Sequence, residues 1–264
     1  MRYFKYWVKE KRQIKVGDKT EEINILSGSN ASKTRASEKA TDKATLIEQR
    51  ILGISDDCEY EVPINEYISK VIDESNVISV CRYGAKILNT NQYTILDLDD
   101  YPINFFDIFK AYRKMSKKER IVAKFEEKIE KAPQLGTDFR IYETAKGIRI
   151  IGKTYFDPSD SAYTSVMRKL FVDWIYVQLS KKQNCYRARL TPKPYRLKFR
   201  TIKIKDPLVC ESDEYLEWER DYADKSRTFS VVKLVKSIGR DFSFDPIVKY
   251  HDDVCNLHLG GRLA

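Results

Sequence analysis

A dense run of cationic residues is the feature that most restricts how this chain can fold. Residues 181–205 contain ten Lys or Arg residues and no Asp or Glu, whereas the formal charge of the whole 264-residue chain is +9. The segment carries +10, so the rest of the chain sums to −1. Basicity is therefore one local feature, and a surface without a special role would mix charges of both signs. The segment predicts a site for a phosphate-rich partner.

The composition is that of a folded protein without a membrane segment. Hydrophobic residues make up 42% of the chain and charged residues 33%, which is typical of globular proteins. The longest apolar run, Phe171 to Leu179, is too short to span a bilayer, and the N-terminus lacks an apolar stretch of signal-peptide length. We therefore expect a cytoplasmic protein that does not enter a membrane.

The cysteines predict reduced thiols rather than disulfides. No Cys-x-x-Cys pair occurs, and the cysteines lie far apart at positions Cys58, Cys81, Cys185, Cys210 and Cys255. Only His251 and His258 accompany them, so a structural zinc ion has almost no ligands to use. We interpret His251 as a histidine whose hydrogen bonds are satisfied within the protein.

Turn and cap signals divide the chain into two parts. Short β-rich runs followed by a helix from the N-cap Ser32 to about Arg50 predict a small β-hairpin/helix module at residues 1–56. A linker around Ser55–Asp57 leads to the main domain at residues 57–264. The predicted fold class is α+β, with mixed or antiparallel sheets and flanking helices.

In the main domain, patterns of alternation and helix-start signals predict hairpins, helices and strands. The hairpins are expected to pair residues 76–88 with 93–98 and residues 139–144 with 148–151. Helices are expected to begin at Ser116, Asp157, Glu211 and Asp245. Further strands are expected at residues 174–179, 185–190 and 228–235.

The first candidate site follows a strand-like run. Asp97 and Asp99 come directly after the apolar residues that begin at Tyr93, and their spacing of two puts both carboxylates on one face of a strand. Carboxylates at the end of a rigid strand can hold Mg²⁺ or Mn²⁺, the ions that assist phosphoryl transfer. The alternative is that Asp97 is a buried hydrogen-bond acceptor and that Asp99 begins a turn.

The second candidate site is the hairpin over residues 139–151. Arg140 lies on one of its faces, Lys146 lies at its tip beside Gly147, and Arg149 follows just across the turn. The backbone N–H groups of such a tip can approach a phosphate. An ordinary hairpin with a solvated basic face is the alternative.

The third candidate site lies within the basic segment. Alternation along residues 185–190 puts Arg187 and Arg189 on the same side of a strand, and two prolines then stiffen the loop that carries Lys193 and Arg196. Ordering these cations in advance lowers the entropic cost of binding a polyanion. The alternative is that the segment pairs with the acidic helix from Glu211.

Three blocks carry a resemblance to known proteins. They are LDLD at residues 96–99, YETAKGIR at residues 142–149 and RARLTPKP at residues 187–194. In this order they resemble an uncharacterised bacterial protein family. The first two blocks more remotely resemble the core of the archaeo-eukaryotic primase-polymerase superfamily.

That second resemblance implies a primase-like, RRM-like core with metal ligands at Asp97 and Asp99. Arg149 stands where the superfamily has a His that contacts nucleotide phosphate, and Arg cannot exchange protons near neutral pH. The superfamily also has a third acidic residue, for which we name Asp173. The implied cofactor is Mg²⁺ or Mn²⁺.

Three hypotheses remain open from the sequence. The first is a nucleic-acid- or nucleotide-binding protein with a divergent primase-polymerase-like core, acting as a metal-dependent nucleotidyl or phosphoryl transferase. The second is a non-enzymatic nucleic-acid-binding or adaptor protein that uses residues 181–205. The third gives this segment a purely structural role, neutralised by the acidic helix.

Overall fold

The computed structural model describes residues 1–17, 19–54, 63–102 and 111–264, which form an α+β protein. The strands of the described residues are β1 (Tyr6–Val16), β2 (Lys19–Ser29), β3 (Tyr67–Val71), β4 (Asn76–Val80), β5 (Lys86–Thr90), β6 (Thr94–Leu98), β7 (Phe139–Thr144), β8 (Ile148–Gly152), β9 (Tyr186–Arg189), β10 (Phe229–Ser230), β11 (Val232–Ile238) and β12 (Arg262–Leu263). The α-helices are α1 (Lys33–Ile51), α2 (Lys117–Ile129), α3 (Tyr163–Lys169), α4 (Trp174–Gln183), α5 (Asp213–Ser226) and α6 (Pro246–Val254).

The first module is one long antiparallel hairpin, β1 and β2, covered by α1. Ser32 caps α1 as expected, with its hydroxyl accepting a hydrogen bond from the Arg35 N–H at 3.0 Å. The small residues Ala36, Ala40 and Ala44 form the buried stripe of this helix and allow it to lie close to the hairpin. The predicted linker and the boundary between residues 56 and 57 lie outside the described residues.

Two four-stranded antiparallel sheets build the main part of the chain. One has the strand order β11-β7-β8-β6 and the other has the order β3-β4-β5-β9. Apolar residues of both sheets and of helices α2, α3, α4 and α6 belong to one hydrophobic cluster. Short strands β10 and β12 add a small parallel pair. The prediction of mixed or antiparallel sheets with flanking helices is confirmed.

The predicted hairpin between residues 76–88 and 93–98 is wrong. Strand β5 pairs with β4 and β9, whereas β6 pairs with β8 in the other sheet. The turn at Asn91 therefore carries the chain from one sheet to the next. Alternation and a polar turn are the same for a hairpin and for such a crossing, so the pattern alone does not distinguish them.

The strand predicted at residues 174–179 is also wrong, because this run forms helix α4. Asp173 caps the helix by accepting a hydrogen bond from the Tyr176 N–H at 2.9 Å. Asn184 ends it in the left-handed conformation, at φ 45°. The helix buries Val177 and leaves several apolar residues of the run exposed, so its sequence lacks the usual amphipathic period.

Most of the remaining predictions are confirmed. Ser116 forms a complete capping box with Glu119 at the start of α2. Strands β7 and β8 form the expected hairpin, the acidic stretch forms α5, and His251 lies in the final helix. The helix expected from Asp157 begins only at Tyr163, because the Asp157 carboxylate accepts from Ser159 and closes a turn. Among the described helices, none is long and apolar enough to cross a membrane.

Candidate functional site

A cleft of about 300 Å³ lies where the end of β6, the β7–β8 turn, the start of α4 and the loop after β9 meet. It brings together residues from all three sequence blocks, although these blocks are far apart in the chain. Its charged lining residues are Asp97, Asp99, Lys146, Arg149, Asp173, Arg189, Lys193 and Arg196. Three carboxylates and five cations give this lining a formal charge of +2, which favours an anionic ligand.

Asp97 and Arg149 form the ion pair at the floor of the cleft. They lie opposite each other on the adjacent strands β6 and β8. Arg149 Nε donates to Asp97 Oδ1 at 3.1 Å, and the Arg149 side chain is only 2% exposed whereas that of Asp97 is 34% exposed. Burial is the largest single effect and lowers the pKa of Arg149, but the charge of Asp97, its hydrogen bond and the nearby Cys255 together outweigh burial and raise this pKa. Arg149 therefore stays charged inside the protein.

His251 holds the other end of the Arg149 guanidinium. Arg149 Nη1 lies 3.3 Å from His251 Nε2 and donates to the Arg189 carbonyl at 2.8 Å. Because a guanidinium only donates, the geometry assigns Nε2 as the acceptor and Nδ1 as the protonated nitrogen. Nδ1 lies 2.8 Å from the Asp252 carboxylate. The imidazole is therefore satisfied within the protein, which agrees with its interpretation from the sequence.

Arg140 does not reach the cleft. Its side chain is 6% exposed and donates to Asp252 at 2.8 Å, to the Tyr142 hydroxyl at 2.7 Å and to Asp241 at 3.4 Å. Burial raises the pKa of Asp252, but the hydrogen bonds from His251 and Tyr142 and the charge of Arg140 together outweigh burial and lower it. Arg140 is thus committed to a buried network, and we leave it out of the site.

The tip of the β7–β8 hairpin lies directly against the end of β6. A Cβ on Gly147 would lie 2.1 Å from the Leu98 carbonyl oxygen and 2.9 Å from Asp99 Cα, so only glycine fits this approach. The approach brings Lys146 to Asp99, with which it forms an ion pair. The hydrogen bond and charge of Asp99 raise the pKa of Lys146. The glycine of the second block therefore positions both charges.

Asp173, which we named as the third carboxylate, lies beside Asp97. Its backbone N–H donates to the Asp97 carbonyl at 3.1 Å, and its side chain is the N-cap of α4. The start of α4 thus faces the cleft and is fixed to strand β6. Helix α4 also supplies Ile175, Tyr176 and Leu179 to the lining of the cleft.

The loop that carries Lys193 and Arg196 is held by aromatic residues of α5. The Tyr222 hydroxyl lies 2.9 Å from Thr191 Oγ1 and also donates to the Pro192 carbonyl, and Trp218 Nε1 donates to the Arg200 carbonyl at 2.7 Å. A short 3₁₀ helix, Pro194–Leu197, follows the prolines. Helix α5 therefore stabilises the basic loop mainly through its aromatic face, and the loop is ordered before a ligand arrives.

Two arginines that line the cleft each have a buried guanidinium nitrogen without a partner in the part of the chain that the structure describes. Arg189 Nε and Arg196 Nη1 have no hydrogen-bond partner among the described residues. Such groups are rare in proteins, and a bound anion is one of the explanations for them. The pKa of the nearby Tyr195 hydroxyl reflects the positive charge of this region. Partial burial raises this pKa, but Lys193, Arg196 and Arg189 together outweigh burial and lower it below 10.

Arg187 is locked into an internal ion pair, in contrast to Arg189. Arg187 Nη2 donates to both oxygens of Glu66, at 2.6 and 2.7 Å, and its side chain is 15% exposed. It lies on the same strand face as Arg189 but does not line the cleft. We therefore leave Arg187 out of the site as well.

The acidic helix neutralises little of the basic segment. With the residues that the structure describes, Lys and Arg of residues 181–205 form ion pairs at only two places, Arg187 with Glu66 and Arg200 with Glu214. The second pair has a separation of 4.0 Å, and both side chains are well exposed, so it contributes little. The structural hypothesis therefore has weak support.

The sequence interpretation missed Ile175 and Leu179, because the run around them was read as a strand. Both are exposed, at 69% and 43%, and both line the cleft. The sequence did contain signals for the start and end of a helix. They are Asp173 before the run, two lysines near its end, and Asn184 just after the lysines. An apolar run of this length otherwise fits either a strand or a helix.

The donor set of the cleft fits a divalent ion only with help from a ligand. Within the described ranges, no cluster of three or more His, Cys, Asp or Glu residues is arranged around a common metal position. Asp97 and Asp99 supply two hard oxygen donors at one cleft. Mg²⁺ often takes one or two carboxylates and completes its ligands with water and phosphate. A metal here would replace Lys146 at Asp99, an exposed ion pair that is weak.

Comparisons with known proteins give no relative from which a function can be transferred. The chain matches no protein-family model, no curated protein and no solved structure at a significant level.

Proposed function

We propose that the cleft binds the phosphates of a nucleotide or of a nucleic-acid strand. The observation that carries this proposal is a cleft with a formal charge of +2 whose lining residues Arg189 and Arg196 each have a buried guanidinium nitrogen without a hydrogen-bond partner among the described residues. Guanidinium groups bind phosphate through paired, charge-assisted hydrogen bonds. Lys193 and Lys146 add point charges on the same cleft.

We further propose that Asp97 and Asp99 place a Mg²⁺ or Mn²⁺ ion beside those phosphates. When bound, the metal would neutralise charge on phosphate oxygens, which is how such ions assist nucleotidyl and phosphoryl transfer. The protein's own residues would bind and orient the phosphates and fix the two carboxylates. The resemblance to primase-polymerases supports this combination, and Arg149 at the position of the expected His gives the site a fixed cation instead of a proton acceptor.

A non-enzymatic role as a nucleic-acid-binding adaptor is the second candidate. It is favoured by exposed cations of the same segment outside the cleft, such as Lys198, Lys203 and Lys205. These residues lengthen the positive surface beyond what a mononucleotide covers. The two proposals differ in whether binding depends on the cleft or on the total charge of the segment.

The cleft is tested by an Arg189→Ala, Arg196→Ala variant. We expect its affinity for a short labelled DNA single strand to fall at least tenfold, because two charge-assisted hydrogen bonds are lost. The slope of the logarithm of affinity against the logarithm of salt concentration should become less steep by about one unit or more. Fluorescence anisotropy over a range of salt concentrations measures both quantities.

The matched control is Lys203→Ala, Lys205→Ala, which removes two exposed charges of the same segment outside the cleft. It should weaken binding less than the cleft variant. Equal losses in the two variants would assign binding to overall charge and favour the adaptor. If wild-type protein binds neither the strand nor ATP, the proposal is wrong.

Mn²⁺ should raise the melting temperature of the wild-type protein, because an ion that binds only the folded state stabilises it. An Asp97→Asn, Asp99→Asn variant should show no such rise over its own metal-free value. Thermal unfolding with Mn²⁺ and with a chelator measures the four temperatures. The same rise in both proteins would remove Asp97 and Asp99 as metal ligands.

A further inference from the structure

Helix α4 presents an unusual exposed surface next to the cleft. Trp174 is 57% exposed, Ile175 69% and Leu179 43%, although apolar residues of this size are usually buried. Ile175 and Leu179, one turn apart, line the cationic cleft. The apolar surface and the phosphate-binding cations are therefore parts of one continuous region.

A second groove lies along the neighbouring flank of the same helix. It has a volume of about 680 Å³ and is lined by Arg168, Phe171, Val172, Trp174 and Val177. Trp174 and Ile175 are adjacent in sequence, so the helix start is shared by the groove and the cleft. The groove thus offers an indole, an apolar floor and one guanidinium.

We propose that single-stranded nucleic acid runs from the cleft over the start of α4 into this groove, with a base stacked on Trp174. The inference rests on the proposed function and extends it from phosphate binding to one class of polymer, single-stranded nucleic acid. Its basis is the alternation of chemistry along the path: cations in the cleft, exposed apolar side chains on α4, and Arg168 beyond them. Successive nucleotides alternate phosphate and aromatic base in the same way.

The partner must expose its bases to use this surface. A duplex hides the faces of its bases in the stack, and inorganic polyphosphate has none, so neither gains from an exposed indole. Both would still be attracted by the cations of the cleft. Single strands are therefore expected to bind more tightly than either polyanion at equal charge.

The fluorescence of Trp174 can report ligand binding directly. The other two tryptophans, Trp7 and Trp218, are 3% and 1% exposed, so changes of emission on binding come mainly from Trp174. We expect a short oligothymidylate to quench the emission of the full chain. Polyphosphate should bind with a salt-dependent affinity and leave the emission nearly unchanged.

The Trp174→Ala variant separates stacking from phosphate binding. We expect its affinity for oligothymidylate to fall about tenfold, within the range measured for one stacked base. Its affinity for polyphosphate should stay that of the wild type. The control is Phe244→Ala, which removes an aromatic residue that is 86% exposed and does not line either cleft or groove. This control should bind both ligands as the wild type does.

Three outcomes overturn the inference. Unchanged oligothymidylate affinity in Trp174→Ala, while Arg189→Ala, Arg196→Ala still weakens binding, would reject the stacked base and leave the proposed function standing. Equal losses for oligothymidylate and polyphosphate in Trp174→Ala would give Trp174 a structural role only. Failure of the wild type to bind either ligand would reject the proposed function and the inference together.

Discussion

Replacing Asp97 with Ala is expected to lower the free energy of unfolding by about 3 kcal/mol, the lower end of the cost of breaking a buried ion pair. The reason is Arg149, whose side chain is 2% exposed and whose other contacts, the Arg189 carbonyl and the His251 imidazole, supply no negative charge. Without Asp97, a full positive charge stays buried with no carboxylate beside it. Urea unfolding in the presence of a chelator measures the loss without a contribution from metal.

Asp99→Ala is the matched control, because Asp99 is the other proposed metal ligand. Its partner Lys146 is 63% exposed, so the loss should stay below about 1 kcal/mol. The double variant Asp97→Ala, Arg149→Met should lose less stability than the sum of its two single changes, because the second change removes the charge that the first leaves uncompensated. Equal losses for Asp97→Ala and Asp99→Ala would show that Arg149 does not depend on Asp97.

Gly147→Ala is expected to cost about 3 kcal/mol and to disrupt the cleft at the same time. The new methyl group would lie 2.1 Å from the Leu98 carbonyl oxygen, and contacts of this kind are essentially never below 3.0 Å. The obstacle is backbone, so strands β6 and β8 must move apart where Leu98 faces Ile148. Asp99 and Lys146 move with them, so affinity for a phosphate ligand should fall as well.

Gly152→Ala, at the other end of β8, is the control for this change. There the methyl group would meet the Phe139 ring at 3.2 Å, and a side chain can shift by a few tenths of an ångström. Alanine also restricts the unfolded chain, which offsets part of the crowding. The net effect should be within about 1 kcal/mol of zero. A loss for Gly147→Ala no larger than this would contradict the close approach of the hairpin tip to β6.

The Asp97 prediction also bears on the metal proposal. Arg149 already neutralises one carboxylate of the cleft from inside the protein, and Lys146 neutralises the second from the surface. The Arg149–Asp97 pair is buried on the arginine side, whereas the Lys146–Asp99 pair is exposed. A ligand can therefore displace Lys146 from Asp99 more readily than Arg149 from Asp97. A phosphate ligand and a divalent ion should therefore each raise the affinity of the protein for the other, because each offsets charge that the other brings.

Local signals in the sequence were enough for much of the fold. Ser32 and Ser116 marked helix starts through side-chain hydrogen bonds within one turn, and the alternation on either side of Gly147 marked the β7–β8 hairpin. Such contacts join residues that are close in the chain, so the sequence alone contains their cause. The strand reading of α4 failed because its exposed apolar residues do not follow the period of a buried helix face.

The sequence by itself determined the charge excess of residues 181–205, the two carboxylates at the end of β6 and the glycine hairpin. Only the tertiary structure decided which cations are available: Arg187 pairs with Glu66 and Arg140 pairs with Asp252, while Arg189 has a buried nitrogen without a partner among the described residues. Arg187 and Arg189 lie on the same face of the same strand, so the alternation pattern in the sequence does not distinguish them. The carboxylate that pairs with Arg187, Glu66, lies 121 residues away in the sequence, whereas Arg189 Nε has no hydrogen-bond partner in the described part of the chain. Long-range packing therefore sets the electrostatic state of each guanidinium.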